Sequence, residues 1–520
     1  MTQHLRPSLR WDWWQAPLAW VKQLPGVPGV LARNDGTFEV HRTHLPLLRQ
    51  LGVDISGAVA TDRAIVTRAP PAAMPWRAWQ RRALEWAAPR HGTMIVAEPR
   101  MGKTRLALAL HDAARGPLII LAPLDVRAVW LQAIETMFPG ADVFCMIGRK
   151  PDVDRLRHAD FVFGHYDIVR DQQLAALAAG TLIIDEAHLI ANDRSRRSAG
   201  VRDFAVLSRR NVVLTGTPLW NSTKGLWPLL AAANPGAWGT SFHFKQRYCS
   251  PTVGEYGWIY GEISNTDEWC ARRDEVAFLA DWATERPDLP ATVRRFVDVP
   301  LDAAMYGELD IAAESLRDAT VEDTTIGSIG RYRKLTGRLK ISAVAAAIHD
   351  RRHVPLVAWC WHKDDVAKVL AKAVRADDKK RPVFLIHGDE SAPKRAATLD
   401  AWRATPDGVL VATLAVGQVG IDLSHASVAL FVEVDWTPAV LYQAAMRTFT
   451  PDRPMELIFF RVEHPVELLL VDKLTAKLAR GAASSMPAAG SGFDLSTSSE
   501  DAAGLMRDLE ALLLAGSRPH

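Results

Sequence analysis

Short apolar runs alternate with amphipathic stretches through the central part of this chain. Residues 117–121 (PLIIL) and 181–184 (TLII) have the length and character of buried strands, and residues 105–110 (RLALAL) have helical character. The alternation returns in the second half, with strand-like runs at 354–359, 384–388 and 408–413 and helix-like stretches at 364–373 and 395–402. Strands that alternate with helices predict a parallel α/β sheet.

Residues 97–104 (AEPRMGKT) have the spacing of a phosphate-binding loop. A strand-like run precedes them and a helix begins directly after them, which is the context that such a loop requires. Backbone N–H groups would face the phosphates, Lys103 would neutralise their charge, and the Thr104 hydroxyl would coordinate Mg²⁺. We assign the following loop residues to ATP binding: Glu98, Arg100, Met101, Gly102, Lys103 and Thr104.

Two adjacent carboxylates follow the apolar run at 181–184. Asp185 and Glu186 begin the sequence Asp-Glu-Ala-His, which is typical of a DEAH box. Asp185 is the predicted second ligand of the Mg²⁺ ion, and Glu186 is the predicted catalytic base that orients and deprotonates the attacking water. The loop and the carboxylates together predict an ATP-hydrolysing site.

Composition and charge narrow the class of protein. The 520 residues are 48% hydrophobic and 23% charged, as in an ordinary globular enzyme of several domains. No apolar run approaches the roughly 20 residues of a membrane helix, and no export signal is visible. The four cysteines are widely scattered, which argues against a zinc site and leads us to expect a cytoplasmic protein. A net charge of +3 permits nucleic-acid binding without requiring it.

Further segments, in the same order along the chain, resemble motifs of the superfamily 2 helicases. Residues 75–80 (PWRAWQ) resemble the glutamine motif, which implies that Arg77 and Gln80 bind ATP, with Gln80 at the adenine edge. Residues 117–123 and 126–130 resemble motif Ia, and residues 161–166 resemble the next strand. Residues 212–221 (VVLTGTPLWN) resemble motif III. The resemblance implies that these residues contact DNA or couple it to the phosphates: Pro123, His188, Thr215, Gly216, Thr217 and, in the second half, Thr413.

The match at residues 214–222, continued at 226–230 and 234–236, resembles the Swi2/Snf2-type ATPases in particular. Residues 244–249, 257–261 and 337–341 are similar to the annealing-helicase (HARP-like) branch of that family. The implied fold is α/β: two RecA-like parallel-sheet lobes, an inserted mostly helical protrusion and a small N-terminal α+β domain.

The second half resembles the C-terminal lobe of this family. Residues 417–423 (GQVGIDL) resemble motif V, which implies that Gly420 and Asp422 bind ATP. Residues 443–447 (QAAMR) resemble motif VI, which implies that Gln443 and Arg447 act catalytically on the γ-phosphate.

The chain departs from the family pattern at two positions. Thr450 stands where the second arginine of motif VI is expected, so either Arg447 suffices, Arg453 replaces the missing arginine, or hydrolysis is slow. Arg100 stands where the family usually has glycine. We expect the loop either to avoid left-handed backbone geometry there or to gain a cation beside the phosphates.

The expected domains are an accessory domain at 1–70, a first lobe at 71–240, an insertion at 241–340, a second lobe at 341–480 and a tail at 481–520. Tryptophans at positions 11, 13, 14 and 20 could stack on DNA bases or pack in a core. A strand at 36–41 and a short helix at 44–51 are expected after them. A flexible linker is expected at 481–492 and an amphipathic helix at 499–514. That helix is expected to dock on the two lobes or on a protein partner.

The resemblance implies a monomeric, ATP-dependent DNA translocase or remodeller that acts on duplex or branched DNA. No association with a membrane is expected. A strand-separating DNA or RNA helicase is the rival within the same class. A degenerate, non-enzymatic DNA-binding scaffold is the rival from another class, because of Thr450.

Overall fold

A computed structural model describes residues 74–468, apart from 112–115, 147–151, 168, 170–178, 217–222, 255–256, 262, 291, 318–321, 418–420 and 435–437, and the backbone of four short strands between residues 6 and 41. The described residues form two units that divide after Glu285. Each unit contains its own parallel sheet.

The N-terminal strands form a small antiparallel sheet in the order β1-β2-β4-β3. They are β1 (Arg6–Pro7), β2 (Trp13–Ala16), β3 (Val30–Ala32) and β4 (Phe38–His41). The strand expected at 36–41 is therefore present as β4. The helix expected at 44–51 lies outside the described residues, and the role of the tryptophans stays a prediction.

A seven-stranded parallel sheet forms the centre of the first unit, in the order β13-β5-β10-β9-β6-β8-β7. Its strands are β5 (Gly92–Ala97), β6 (Leu118–Leu121), β7 (Val143–Met146), β8 (Phe161–Gly164), β9 (Thr181–Ile184), β10 (Asn211–Thr215) and β13 (Ala277–Ala280). Residues on both faces of the central strands are buried, because helices cover both sides of a parallel sheet. This burial explains why β9 is continuously apolar rather than alternating.

Nine helices of the described part of the first unit precede, connect or follow these strands. They are α1 (Ala78–Ala87), α2 (Lys103–Ala109), α3 (Arg127–Met137), α4 (Val153–His158), α5 (Arg196–Ala205), α6 (Leu226–Ala233), α7 (Ser241–Tyr248), α8 (Thr266–Val276) and α9 (Trp282–Glu285), with short 3₁₀ turns at Leu124–Val126, Ala187–Ile190 and Thr223–Gly225. An antiparallel hairpin of β11 (Pro251–Gly254) and β12 (Gly257–Tyr260) follows α7.

The second unit is built on a six-stranded parallel sheet in the order β14-β19-β18-β15-β17-β16. Its strands are β14 (Thr292–Val299), β15 (Leu356–Cys360), β16 (Val383–Ile386), β17 (Val409–Thr413), β18 (Val428–Phe431) and β19 (Met455–Val462). Its helices are α10 (Ala303–Arg317), α11 (Glu322–Leu339), α12 (Ile341–Asp350), α13 (Lys368–Asp377), α14 (Ala392–Arg403), α15 (Leu414–Gly417) and α16 (Pro438–Thr448), with a π-helical turn at Lys363–Ala367.

Residues 241–340, which we expected to form one insertion, are divided between the two units. Helices α7 and α8 contribute Phe244, Tyr248 and Trp269 to the core of the first unit, and β13 pairs with β5 in its sheet. Strand β14 instead pairs with β19 along eight residues of the second sheet. Helices α10 and α11 are the long helical part of the segment.

The predicted α/β class with two parallel-sheet lobes is confirmed. None of the described helices is long and apolar enough to span a bilayer.

Candidate active site

The phosphate loop, Gly216, Asp185 and Pro123 lie at the carboxyl ends of four adjacent strands of the first unit. In the sheet, β5, β10, β9 and β6 are neighbours, and they lead into the phosphate loop, Gly216, Asp185 and Pro123 respectively. All four strands are parallel, so their carboxyl ends meet at the same edge of the sheet. Chain segments far apart in sequence are thereby collected into one place.

Backbone geometry of the phosphate loop depends on Gly102. This residue precedes α2 with a φ angle of +93°, in the left-handed region. A side chain there would be strained, and its Cβ would lie 2.8 Å from Nε2 of Gln80. Gly102 is therefore required by both conformation and space.

Arg100 also adopts the left-handed region, with φ of +65°. Of the two alternatives for this position, the one in which the loop avoids left-handed geometry is wrong, and the one in which Arg100 adds a cation beside the phosphates stays a prediction. The loop retains the turn that glycine would make easily, at a cost of roughly 1–2 kcal/mol for an L-residue. Two carbonyls of this turn, those of Arg100 and Met101, accept hydrogen bonds from the Arg77 guanidinium at 3.2 and 3.3 Å.

The ammonium group of Lys103 lies over the phosphate loop. Its Nζ donates to the carbonyl of Ala97 at 2.6 Å and to that of Glu98 at 3.1 Å. Lys103 and Thr104 are the first residues of α2, and both are half-buried. Burial raises the pKa of Asp185, and the charge of Lys103 partly offsets this rise, so these two predicted residues lie within electrostatic reach of each other.

Gln80 connects helix α1 to the phosphate loop. Its Oε1 accepts from the Arg77 backbone N–H at 3.0 Å, and its Nε2 donates to the Gly102 carbonyl at 3.2 Å. The side chain is only 1% exposed. In this structure, the amide that we predicted at the adenine edge therefore supports the loop on which the phosphates would bind.

The side chains of Glu98 and Met101 are part of the loop's internal packing. Met101 is fully buried, and Glu98 is 3% exposed. The Glu98 carboxylate accepts a hydrogen bond from the backbone N–H of Trp282. Any contact of these two residues with a phosphate would therefore come from their backbone rather than from their side chains.

Asp185 is held in place by two donors. Its Oδ2 accepts from the indole N–H of Trp130 at 2.9 Å, and its Oδ1 accepts from the Glu186 backbone N–H at 2.9 Å. The Tyr166 hydroxyl donates to the Asp185 carbonyl. Burial, reinforced by the negative charge of Glu186, raises the pKa of Asp185 to about 6.

Glu186 has a left-handed backbone, with φ of +51°. Its carboxylate is 27% exposed and lies 3.4 Å from Nδ1 of His188. Glu186 is therefore more accessible than the buried Asp185 beside it. Left-handed backbone strain of this kind is typical of functional positions.

Motif III lies beside the phosphate loop. Thr215 is fully buried at the end of β10. At Gly216, an added Cβ would lie 3.5 Å from Pro99 Cδ and 3.6 Å from the Ala97 carbonyl. Thr217 lies outside the described residues. Pro123 is half-buried and precedes the 3₁₀ turn at Leu124–Val126.

The second unit holds the remaining predicted residues. Arg447, in the last turn of α16, donates through Nε to the Gly417 carbonyl at 3.1 Å, and Gln443 lies half-buried one turn earlier. Thr413 is buried at the end of β17. Asp422 is exposed, and its Oδ1 accepts from the Ser424 backbone N–H at 2.9 Å. Gly420 lies outside the described residues.

The Arg453 side chain is engaged by backbone carbonyls of its own unit. Its guanidinium donates to the carbonyls of Ser424, His425 and Ala426 at 2.6, 3.2 and 2.7 Å. Thr450 accepts from the Asp452 backbone N–H at 3.4 Å and so helps to close the turn between α16 and β19. These contacts favour Arg447 over Arg453 as the catalytic cation.

Two tryptophans support the site although none of the motifs predicts this role for them. Trp130 ends the segment that resembles motif Ia, and a buried indole N–H usually pairs with an acceptor, which is a usable signal. Trp282 lies 183 positions from Pro99, whose carbonyl accepts its indole N–H at 3.1 Å. No local pattern indicates a contact over that separation.

Comparison with known protein families agrees with this arrangement. Residues 76–276 match the SNF2-related domain, and residues 339–450 match the helicase conserved C-terminal domain. The chain therefore belongs to the Snf2-type superfamily 2 ATPases.

Two of the relatives to which the chain is similar come from vertebrates, and one of them is named as a DNA annealing helicase. The chain is 25% identical, over 390 residues, to the SWI/SNF-related matrix-associated actin-dependent regulator of chromatin subfamily A-like protein 1 of Xenopus tropicalis, covering 71% of this chain and 40% of that protein. It is 24% identical, over 392 residues, to the DNA annealing helicase and endonuclease ZRANB3 of Mus musculus, covering 71% and 37%. The chain thus spans about two fifths of these relatives.

A solved structure, the Sulfolobus solfataricus SWI2/SNF2 ATPase core in complex with dsDNA, is similar with a TM-score of 0.39 and 16% identity. The match covers 80% of this chain and 92% of that one.

Proposed function

We propose that this protein is an ATP-dependent DNA translocase or remodeller that hydrolyses Mg-ATP to move on duplex or branched DNA. The observation that carries the proposal is the meeting of the phosphate loop, Asp185, Glu186 and Gly216 at one edge of the first sheet, in a chain with both domains of the Snf2-type ATPases. Each of these groups has a role in ATP hydrolysis that its chemistry supports.

The proposed roles follow from charge and position. Lys103 would leave the loop carbonyls and neutralise the β- and γ-phosphates, and backbone N–H groups at the start of α2 would bind them. Glu186 would accept a proton from the attacking water, which is consistent with its partial exposure and with the neighbouring His188. Arg447 and Gln443 would act on the γ-phosphate from the second unit.

A Mg²⁺ ion fits the residues that are present. Asp185 offers an oxygen ligand whose orientation is set by Trp130, and Thr104 offers a hydroxyl on the first turn of α2. When bound, the ion would neutralise charge on the phosphates. Thr104 and Asp185 are therefore the proposed ligands, and the sequence Asp-Glu-Ala-His would serve as a DEAH box.

We propose DNA as the partner because of what one of the similar proteins is named for. One of them is named a DNA annealing helicase, and rewinding or branch remodelling is the corresponding outcome to test here. Contacts to the sugar-phosphate backbone would supply most of the affinity, which should fall as salt rises. We also propose a cytoplasmic monomer and, at residues 499–514, a helix that docks on the motor or on a protein partner.

A non-enzymatic DNA-binding scaffold is the second candidate, since Thr450 occupies the place of an arginine. One experiment separates the candidates: steady-state ATP hydrolysis measured without nucleic acid and with duplex DNA, single-stranded DNA, forked DNA or RNA. We expect duplex or forked DNA to raise turnover well above the basal rate. Equal stimulation by RNA would favour a strand-separating helicase, and undetectable turnover with every nucleic acid would favour the scaffold.

A further inference from the structure

Trp282 holds the phosphate loop through two separate donors. Its backbone N–H donates to the carboxylate of Glu98, and its indole N–H donates to the carbonyl of Pro99 at 3.1 Å. Both acceptors lie directly before the left-handed turn at Arg100. Trp282 and Glu98 are 4% and 3% exposed, so both bonds are shielded from water. Shielded hydrogen bonds resist exchange with water, and these two restrain the first half of the loop.

The segment that carries Trp282 is itself well supported. Strand β13 runs parallel to β5 up to the pairing of Ala280 with Ala97, the residue that begins the loop. Asp281 accepts from the backbone N–H of Thr284 at 2.7 Å and from its hydroxyl at 3.0 Å. The Arg77 guanidinium lies 5.1 Å from the centroid of the Trp282 ring while it also donates to the loop carbonyls.

We propose that Trp282 is a positioning residue for ATP binding, and that Glu98 acts through Trp282 rather than on the nucleotide. The inference rests on the proposed function, because it assigns the loop to phosphates. The two bonds from Trp282 hold residues 98–99 against the end of the sheet, so that the following backbone N–H groups converge on the phosphates. Nucleotide affinity depends on this arrangement before any chemistry takes place.

The position of Trp282 adds a consequence. It lies in the last segment of the first unit, four positions before Arg286, where the second unit begins. If Trp282 stabilises the loop that binds the nucleotide, then the bound nucleotide must stabilise the contacts of Trp282 by the same factor. Nucleotide binding to the loop should therefore stabilise the segment that leads into the second unit.

The first test replaces Trp282 by phenylalanine, which keeps an aromatic ring near Arg77 and removes the indole donor. Trp227→Phe is a matched control, because Trp227 also donates to a carbonyl, that of Gly239 at 3.0 Å, and has the Arg202 guanidinium 4.7 Å from its ring centroid. Binding of a fluorescent ATP analogue with Mg²⁺ should weaken about 3- to 10-fold in Trp282→Phe, as for the loss of one hydrogen bond. KM for ATP should rise in parallel, while kcat changes by less than about twofold. Affinity equal to that of Trp227→Phe would overturn the proposal.

Substitution of Glu98 separates a positioning role from a direct one. Glu98→Gln keeps an oxygen that can accept the Trp282 N–H and should bind the analogue nearly as well as the wild type. Glu98→Ala removes the acceptor and should resemble Trp282→Phe. If Glu98→Gln were as weak as Glu98→Ala, the charge of Glu98 would act on the nucleotide, and its assignment here would be wrong.

Hydrogen exchange on the wild-type chain provides a test that does not depend on a variant folding. Addition of the analogue should slow exchange of the amides at 281–285, and it should leave the hairpin amides at 252–254 unchanged. Protection of residues 98–104 without any change at 281–285 would overturn the inference and leave the proposed function intact. A wild-type chain that binds no nucleotide would overturn both.

Discussion

The indole N–H of Trp130 donates to Oδ2 of Asp185 over 2.9 Å. Trp130 belongs to α3 and is fully buried, and Asp185 follows β9. The bond therefore links the helix that carries the second part of motif Ia to the carboxylate proposed to hold Mg²⁺. Because the donor favours the charged carboxylate, it opposes the effect of burial on the pKa of Asp185.

Removal of this donor should weaken the metal site. We expect Trp130→Phe to raise the pKa of Asp185 further and to raise the Mg²⁺ concentration needed for half-maximal nucleotide binding about 3- to 10-fold. Trp402→Phe is the control, since Trp402 is equally buried and donates to the Gly408 carbonyl at 3.1 Å in the second unit. A Mg²⁺ titration of nucleotide binding decides the matter, and identical curves for the two variants would contradict the prediction.

Metal-dependent binding should respond to pH through Asp185. Its pKa is raised to about 6, so the carboxyl is mostly protonated and a poor ligand at lower pH. Apparent Mg²⁺ affinity should therefore fall up to about tenfold per pH unit below that value and level off above it.

The free energy of unfolding depends on the pH in the opposite sense. Between about pH 4 and pH 6 the Asp185 carboxyl is protonated in the folded chain and ionised in the unfolded chain. The contribution of Asp185 to stability therefore decreases as the pH rises from about 4 to about 6.

The pH effect can be assigned by substitution. Asp185→Asn carries no titratable group at this position, so its residual Mg²⁺ affinity should lack the step near pH 6. Persistence of the same step in Asp185→Asn would place the titration on another group.

Glu186→Gln should separate binding from hydrolysis. The amide has nearly the same shape as the carboxylate but cannot accept the proton of the attacking water, so nucleotide binding should persist while turnover falls by about 10²-fold or more. Lys103→Ala provides the contrast, because loss of the phosphate cation should reduce binding itself. Equilibrium binding and single-turnover hydrolysis distinguish the two effects. Loss of nucleotide binding in Glu186→Gln would move this residue to a structural role.

The sequence alone predicts which residues lie at the carboxyl edge of the first sheet, but it does not predict the contacts that hold those residues in place. Apolar runs that end in Asp185, Thr215 and Pro123 predict parallel strands, and parallel strands bring their carboxyl ends together. Contacts such as that between Trp282 and Glu98 depend on the order of strands in the sheet, where β13 pairs with β5 although 179 residues separate Ala97, at the end of β5, from Ala277, at the start of β13. A single sequence contains no local pattern that fixes such a pairing.

Arg100 is a further example, because the left-handed turn of the loop overrides the preference of its side chain. Arg100→Gly and Arg100→Ala both remove the cation, but only glycine relieves the backbone strain. We therefore expect the glycine variant to unfold at a higher temperature than the alanine variant, with a difference in unfolding free energy of about 1 kcal/mol. Thermal unfolding of both variants checks this, and equal or reversed stabilities would show that the turn is not strained.

Arg447 and Arg453 should fail in different ways when each is replaced by alanine. Arg453 donates to three backbone carbonyls, so Arg453→Ala should destabilise the second unit by roughly 2–4 kcal/mol while the protein that remains folded keeps its turnover. Arg447 is the proposed cation for the γ-phosphate, so Arg447→Ala should reduce single-turnover hydrolysis with saturating DNA by about 10³-fold and leave the fold intact. Thr450→Arg should give no gain if Arg447 suffices. A near-normal hydrolysis rate for Arg447→Ala would refute the assignment of Arg447. If folded Arg453→Ala instead lost about 10³-fold in rate, Arg453 would have taken the place of the missing arginine.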